Sequence, residues 1–355
     1  MKRKVREEYI SLLRCALWGG DLPPVSHLSG VLRLAHSQKT EPLVADVLQR
    51  GAYPLPEKAA EELMKRLLAT ERLNTELDVE GKAILQEWAA EDISGIILKG
   101  QGLASYYLRP LLRVCGDIDL WVPEEDYDRA CELLLKRERS LGDVRLVDEG
   151  DKHLCIKRGH VVIEVHRMAL ILPTKDILWQ QIEQEGLSGP GTTPEENFNA
   201  LFIFLHAWEH FCGDGVGLRQ LCDWAMFLHW QTGKLDLALL RSRLEALQLL
   251  KPWQVFAALA VDGLGLPADE MPFYNARFRR RGLYILRMIL KEGNFGKARP
   301  VKQKRSGRNT ASKKMHTALS LPQRAIRLFP VFPGLSFRFL GRGLKKGFRK
   351  LFKGR

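Results

Sequence analysis

The stretch GDIDLWV, residues 116–122, decides the fold prediction. Its three aliphatic residues alternate with two aspartates, Asp117 and Asp119. Successive side chains of a β-strand point to opposite faces, so both carboxylates share one face, with α-carbons about 6.6 Å apart. The aliphatic residues then face a core. Trp121 shares the face of the aspartates, where it either borders a ligand or packs.

Two nearby carboxylates repel each other and raise each other's pKa unless a cation compensates them. A divalent ion such as Mg²⁺ provides that compensation. A D-x-D pair alone is a weak motif, since a solvated edge strand gives the same pattern. In the later stretch HVVIEVHR, Glu164 and His166 lie on the face opposite Val161, Ile163 and Val165. If the two strands pair, Glu164 completes a three-carboxylate site for two metal ions about 3.5–4 Å apart.

A possible phosphate-binding turn precedes the aspartates. SGIILKG, residues 94–100, predicts a buried strand that ends at a glycine. Gly100 permits close backbone approach, and amides at the start of the next helix are suited to phosphate oxygens. Arg113 is favoured as a phosphate ligand because its fork binds bidentately, whereas Lys99 is either a charge partner or structural. The candidate nucleotide-binding residues are Lys99, Gly100, Gln101, Arg113 and Gly116.

Helical periodicity flanks this module on both sides, which predicts an α+β fold. The regions that we predict are an N-terminal helical region, 1–91; a mixed α/β module, 92–185; a helical domain, 186–295; a disordered basic linker, 296–322; and a basic amphipathic tail, 323–355. The first helical region is interpreted as packing helices without chemistry of its own.

The net charge of +13 is concentrated at one end of the chain. Residues 293–355 contain 18 Lys or Arg and no acidic residue, whereas the preceding part carries 37 basic and 42 acidic residues. With aliphatic and aromatic residues on one helical stripe, the tail 323–355 predicts binding to an anionic membrane surface. A nucleic acid is a less favoured partner, and a solvated tail or a partner helix is the remaining alternative.

The cellular location follows from the other end and from the cysteines. The charged N-terminus does not resemble a secretory signal, and no window approaches the roughly 20 apolar residues of a membrane span. Six cysteines without paired close spacing indicate reduced thiols. We therefore predict a cytoplasmic protein, held at the inner membrane face through its tail.

Three further groups are candidates for contact with a substrate: His166, His206 and Asp223. His206 and His210 lie four residues apart on a predicted helix, a spacing that suits zinc, but no HExxH motif is present. A packed helix face or a substrate contact is the favoured interpretation. Arg219 and Asp223 are also four apart, so they form a local ion pair or line a cleft.

The chain resembles the uncharacterised nucleotidyltransferase family of bacteria, within the DNA polymerase β-like nucleotidyltransferase superfamily. The matching pieces are ILKGQGLASYY, the arginine before GDIDLWV, IEVHR, and the later LFIFLHAWEHF with LRQLCDWAMFL. The resemblance covers roughly residues 8 to 250. One departure is Gly100-Gln101, where the superfamily often has Gly-Ser or Gly-Gly.

The resemblance implies that residues 92–185 form a minimal palm. It also implies a catalytic site in which Asp117, Asp119 and Glu164 bind Mg²⁺ or Mn²⁺. The implied reaction moves a nucleoside monophosphate from a nucleoside triphosphate to an acceptor that the sequence does not identify. The alternative is a non-catalytic nucleotide-binding or scaffold protein that keeps the palm and is tethered to a membrane by its tail.

Overall fold

The computed structural model describes residues 3–150, 153–170, 177–189, 191–213, 215–294 and 325–334. Residues 1–299 form one compact unit, and residues 300–355 form a second. Within the second unit, the described part contains a helical turn at 325–328. The predicted basic linker and the rest of the predicted tail lie outside the described residues.

Four helices open the first unit, as the sequence predicts. They are α1 (Arg3–Trp18), α2 (Leu28–Ser37), α3 (Glu41–Arg50) and α4 (Glu57–Ala89). The long helix α4 contains no proline after its first turn, and its buried residues recur at helical spacing. One of them, Asn74, is polar.

A five-stranded mixed sheet follows. Its strands are β1 (Ile96–Ile97), β2 (Ile118–Trp121), β3 (Val144–Glu149), β4 (His153–Arg158) and β5 (Val161–His166), in the order β1-β2-β5-β4-β3. The short helix α5 (Gln101–Ala104) follows β1, and α6 (Tyr127–Leu141) follows β2. Strands β2 and β5 are parallel, and the other neighbours are antiparallel. This sheet with its flanking helices confirms the predicted α+β palm architecture.

The two faces of β2 have different environments, as its alternating pattern predicts. Ile118 and Leu120 are fully buried in a cluster with residues of α4 and α6, such as Ile84 and Leu134. Each such side chain stabilises the fold by about 1.5–3 kcal/mol. This core fixes the register of β2, because a slip by one residue would turn Ile118 and Leu120 to the opposite face and place both carboxylates among apolar residues.

Within residues 177–189, 191–213 and 215–294, six α-helices follow the sheet and confirm the predicted return to helical structure. They are α7 (Ile177–Gly186), α8 (Glu196–Cys212), α9 (Leu218–Trp230), α10 (Leu237–Ala246), α11 (Leu250–Leu259) and α12 (Arg279–Glu292), with a π-helical turn at Ala260–Leu264. Among the residues that the structure describes, none of the helices is both long and apolar enough to cross a bilayer.

Helix α8 packs on the face of the sheet that carries the aspartates. Trp121, only 2% exposed, stacks on Phe198 with ring centroids 5.2 Å apart, and Phe198 stacks on Phe202 at 5.7 Å. Trp121 is therefore a packing residue that fixes α8 above β2. The aromatic stack also sets where the next turns of α8 meet the site.

The fully buried Gln38 connects helices that precede the sheet in the sequence with helices that follow it. Its side chain donates to the carbonyl of Ile289 at 3.1 Å and accepts from the amide of Leu218 at 3.0 Å. The N-terminal helices, the sheet and the later helices thus belong to the same compact unit. The boundaries predicted between these regions stay predictions.

Candidate active site

The candidate site is built on the parallel pairing of β2 with β5. Asp119 is the direct register partner of Glu164, and Trp121 is that of His166. Asp117 immediately precedes β2. The structure therefore brings the later acidic strand beside the aspartate pair, which is the arrangement that the sequence required for a three-carboxylate site.

A cavity of about 300 Å³ lies in front of these carboxylates. The palm side of its wall contains Lys99, Gly100, Leu103, Arg113, Asp117, Asp119 and Glu164. The side formed by α8 and α9 contains Ile203, His206, His210, Arg219, Gln220 and Asp223. The cavity thus joins most of the predicted site residues, with carboxylates on one side and mainly basic or neutral polar groups on the other.

Asp119 is held between two basic side chains. Its Oδ1 lies 2.9 Å from Lys99 Nζ and 3.0 Å from His166 Nε2. Burial opposes ionisation of Asp119, but Lys99 and His166 outweigh it and lower its pKa below the ordinary 3.8. Burial likewise opposes the charged form of His166, whose pKa is nevertheless raised by its contacts with Asp119 and Glu164. Asp119 is therefore a fixed negative charge.

The pKa of Asp117 is shifted in the opposite direction, upward. Burial, followed by the charge of Asp119, raises the pKa of Asp117 to about 6. Lys99 offsets part of this repulsion, and so does Arg219. The pKa of Glu164 is lowered, chiefly by its hydrogen bond with His166 against the effect of burial. The three carboxylates together hold more negative charge than one lysine compensates, which suits a site for added cations.

The residues present fit a divalent metal ion. One ligand atom each from Asp119, Glu164 and His166 lies within 4.8 Å of the others. Oxygen ligands of this kind suit Mg²⁺ and Mn²⁺, and an imidazole is accepted more readily by Mn²⁺ and the later transition metals. His166 thus joins the candidate metal ligands, whereas the sequence suggested it only as a substrate contact.

Gly100, which the sequence suggested for close backbone approach, lies in the turn after β1. Gly100 has φ +58° and ψ −110°, a backbone conformation that is strained for any residue with a side chain. Gln101 is buried, and its Nε2 lies 3.5 Å from the carbonyl of Asp117. At Gly116 an added Cβ would meet no atom within 4 Å. Gly100 therefore shapes the turn, while sterics do not demand glycine at position 116.

Arg113 is bound by the protein itself. Its Nε and Nη2 donate to the two carboxylate oxygens of Asp223 at 3.0 and 2.6 Å, and Nη1 lies 3.2 Å from the sulfur of Cys115. Tyr107 donates to the same carboxylate at 2.7 Å. The bidentate geometry predicted for phosphate is thus used for Asp223, which joins the loop before β2 to helix α9.

Arg219 also lies on the cavity wall. It donates from Nη1 to the carbonyl of Val114, while its Nε is shielded from solvent and has no hydrogen-bond partner. Burial, and then the neighbouring Arg113, lowers the pKa of Arg219 below its ordinary value. The carboxylate four residues further along, Asp223, pairs with Arg113. The cleft interpretation of the Arg219 and Asp223 spacing thus agrees with the structure better than the local ion pair does.

His206 and His210 both face the cavity from α8. Their rings pack edge to face with centroids 4.5 Å apart. Burial, then Lys99 and His210, lowers the pKa of His206 well below 6.5, so His206 is neutral at physiological pH. A neutral imidazole at this place is suited to hydrogen bonding with a substrate.

Asn74 is a site-supporting residue that sequence reasoning missed. It donates to the carbonyls of Leu111 and Arg113 at 2.6 and 2.8 Å and accepts from the amide of Cys115 at 3.3 Å. These bonds fix the loop that leads into β2. The sequence contained a signal, because Asn74 interrupts a buried stripe of α4 at seven-residue spacing from Leu67.

A mixed sheet with carboxylates on adjacent parallel strands, facing a cavity that also contains basic groups, defines a palm-type nucleotidyltransferase. A comparison with protein families agrees: the family model described as "Uncharacterised nucleotidyltransferase" matches residues 26–265. The chain belongs to this family and is a transferase of that class. No curated protein and no solved structure matches it.

Proposed function

We propose that the protein transfers a nucleoside monophosphate from a nucleoside triphosphate to an acceptor, with divalent metal ions as cofactors. The observation that carries this proposal is the direct pairing of Asp119 with Glu164 in front of a cavity of about 300 Å³. Adjacent parallel strands hold both carboxylates on a rigid support, which is what positioning of a phosphoryl group requires.

Asp117, Asp119 and Glu164 bind the metal ions in this proposal. These residues would hold divalent ions, which would neutralise phosphate charge and activate the attacking oxygen. His166 supports them, since it contacts both Asp119 and Glu164, at 3.0 and 3.5 Å. Mg²⁺ fits the carboxylates, and Mn²⁺ fits the carboxylates together with the imidazole.

The protein's other groups orient the substrates. Gly100 and Gln101 shape the turn that approaches the phosphates. Lys99 keeps Asp119 ionised through their 2.9 Å contact. Asp223 acts by holding Arg113, so both residues position the loop into β2. His206, neutral and on the wall opposite the carboxylates, offers a hydrogen bond to the acceptor.

A transfer assay tests the proposal. The purified full chain is incubated with Mg²⁺ or Mn²⁺, each α-labelled nucleoside triphosphate and fractionated cell extract, and label in acceptors is detected by mass spectrometry and autoradiography. We expect metal-dependent labelling that Asp119→Asn abolishes. The exposed helix residue Asp78 provides a matched control, since Asp78→Asn should label normally. No label with any metal or acceptor fraction would argue against the enzyme.

A nucleotide-binding protein without turnover is the second candidate. It is favoured by one observation, the ion pair between Lys99 and Asp119, which occupies an oxygen that a metal ion would use. Calorimetric titration separates the two functions. Metal-dependent binding of a triphosphate, without pyrophosphate release across a broad acceptor panel, would support the binding protein instead.

We propose further that the tail 323–355 attaches the protein to an anionic membrane surface from the cytoplasmic side. The support is in the sequence, where residues 293–355 carry 18 basic and no acidic residues. Co-sedimentation with vesicles of phosphatidylcholine, with and without about 30% phosphatidylserine, tests it. Binding only to the anionic vesicles, lost on deletion of 323–355, is expected; retention after deletion would overturn it.

A further inference from the structure

We propose that Arg219 is the anchor for the terminal phosphates of the nucleoside triphosphate, and so for the pyrophosphate that leaves. This inference rests on the proposed function and adds a binding residue to it. It reassigns the phosphate-binding role from Arg113, whose two fork nitrogens are already satisfied by Asp223.

The charge of Arg219 favours an anionic ligand. Arg219 is a cation at the wall of a partly enclosed cavity, and among the described residues no carboxylate lies within ion-pair distance of it. Its nearest candidate in sequence, Asp223, is bound by Arg113 and Tyr107. Buried charges in proteins are normally paired, because an unpaired charge away from water is costly. An anionic ligand would provide the missing partner.

The hydrogen bonding of the Arg219 guanidinium also favours a phosphate ligand. The guanidinium of Arg219 uses Nη1 for the carbonyl of Val114. Its Nε is shielded from solvent without a partner. Within the described part of the chain, Nη2 likewise donates no hydrogen bond. Nε and Nη2 form the edge of a guanidinium that binds phosphate through two parallel hydrogen bonds.

The position of Arg219 in the cavity suits a polyphosphate chain. Arg219 and the carboxylates of Asp117, Asp119 and Glu164 line the same cavity. A polyphosphate chain between the two would meet metal-binding carboxylates at one end and a guanidinium at the other. The volume of about 300 Å³ is at the small end for ligand pockets, which suits a phosphate chain better than a whole nucleotide.

The backbone that carries Arg219 is preorganised for ligand binding. Arg219 lies in the first turn of α9, and that turn is fixed from two sides. The amide of Leu218 donates to the buried Gln38 at 3.0 Å, and the amide of Gly217 donates to Gln220 Oε1 at 3.1 Å. A side chain whose backbone is already fixed loses less entropy when it binds a ligand.

The experiment is calorimetric titration of the full chain with inorganic tripolyphosphate, pyrophosphate and orthophosphate in the presence of Mg²⁺. We expect Arg219→Gln to weaken tripolyphosphate and pyrophosphate binding at least tenfold, and Arg219→Lys to have an intermediate effect. Arg241→Gln removes an exposed arginine of α10 and should leave binding unchanged. Unchanged binding in Arg219→Gln would overturn the proposal.

Two further readouts keep the result interpretable. Arg219→Gln removes the hydrogen bond from Nη1 to the carbonyl of Val114, so a small decrease in melting temperature is expected. Tripolyphosphate should raise the melting temperature of the wild type but not that of Arg219→Gln, whereas a purely structural role predicts the same increase in both. If orthophosphate and nucleoside monophosphate binding weaken while tripolyphosphate binding does not, the anion is the acceptor's phosphate, and our assignment is wrong. Polyphosphate binding needs no turnover, so the proposed transferase activity can fail independently in the labelling assay.

Discussion

Arg113 and Asp223 form a buried, bidentate ion pair that joins the loop before β2 to helix α9, with nitrogen–oxygen distances of 3.0 and 2.6 Å. Both side chains are about 4% exposed. Tyr107 adds a third hydrogen bond to the carboxylate. The pair therefore links the palm to the helices that form the opposite wall of the cavity.

Removal of one partner from this pair should destabilise the protein strongly. Arg113→Met leaves the Asp223 carboxylate buried without a cation, for which we expect a loss of about 3–5 kcal/mol in the free energy of unfolding. Urea denaturation followed by circular dichroism measures it. The double variant Arg113→Met with Asp223→Leu should recover much of the loss, because no uncompensated charge remains. Equal losses in the single and double variants would contradict this account.

His166 should be detectable as a metal ligand. With Mn²⁺ bound, pulsed electron paramagnetic resonance should show coupling to a ¹⁴N nucleus, because His166 Nε2 is the nitrogen that clusters with oxygens of Asp119 and Glu164. His166→Gln should remove this coupling and weaken Mn²⁺ binding by more than about tenfold. His160→Gln, a change at an exposed histidine, is the control. A ¹⁴N signal that persists in His166→Gln would identify another ligand.

Glu183 should make the stability depend on pH. Burial raises its pKa to about 7, against the opposing effect of backbone hydrogen bonds from Leu170 and Ala169. The native state thus keeps a proton that the unfolded chain releases above the ordinary pKa of 4.5. The stability from Glu183 is fully present below that value and is lost as the pH rises through about 7.

Glu183→Gln should therefore be more stable than the wild type at pH 8, by roughly 1–3 kcal/mol, and similar to it at pH 4.5. Chemical denaturation over this pH range measures the difference. Glu132→Gln, at an exposed position of α6, serves as the control and should leave the pH profile unaltered. A wild-type profile parallel to that of Glu183→Gln would show that Glu183 ionises normally.

Asn74 should be essential to the loop that presents the aspartates. Asn74→Ala leaves two carbonyls and one amide without their side-chain partner, for which we expect roughly 3 kcal/mol of destabilisation. It should also reduce metal binding, since the loop continues directly into Asp117. Thermal melts and Mn²⁺ titration measure these effects, with Gln86→Ala, a change at an exposed amide side chain of α4, as the control. Normal metal binding in Asn74→Ala would show that the loop is positioned by other contacts.

The sequence predicted those features that depend on local pattern. The alternation in β2 predicted its buried face and its two aspartates, and the same rule placed Glu164 on the matching face of β5. The sequence alone could not show that the two strands are direct parallel neighbours, so their pairing was stated as a condition. Strand order depends on how α6 and the β3–β4 hairpin, which lie between β2 and β5 in the chain, pack. The palm architecture was nevertheless correctly inferred from the resemblance.

Partners distant in sequence were beyond local patterns. Arg113 has the chemistry of a phosphate ligand, and nothing near it in the chain indicates that Asp223, 110 residues later, occupies its fork. The spacing of Arg219 and Asp223 suggested an ion pair for the same reason. The long-range pair between Arg113 and Asp223 changes both interpretations and, within the described part of the chain, leaves Arg219 without a carboxylate partner.

Gln38 gives the molecule an evolutionary constraint. Its one amide group links a helix near the start of the chain to the backbone at Leu218 and at Ile289. Helices encoded far apart in the sequence, before and after the sheet, thus share a buried junction. Recombination that exchanged only the first helices or only the last ones between related genes would break this junction, so the two helical parts are expected to be inherited together.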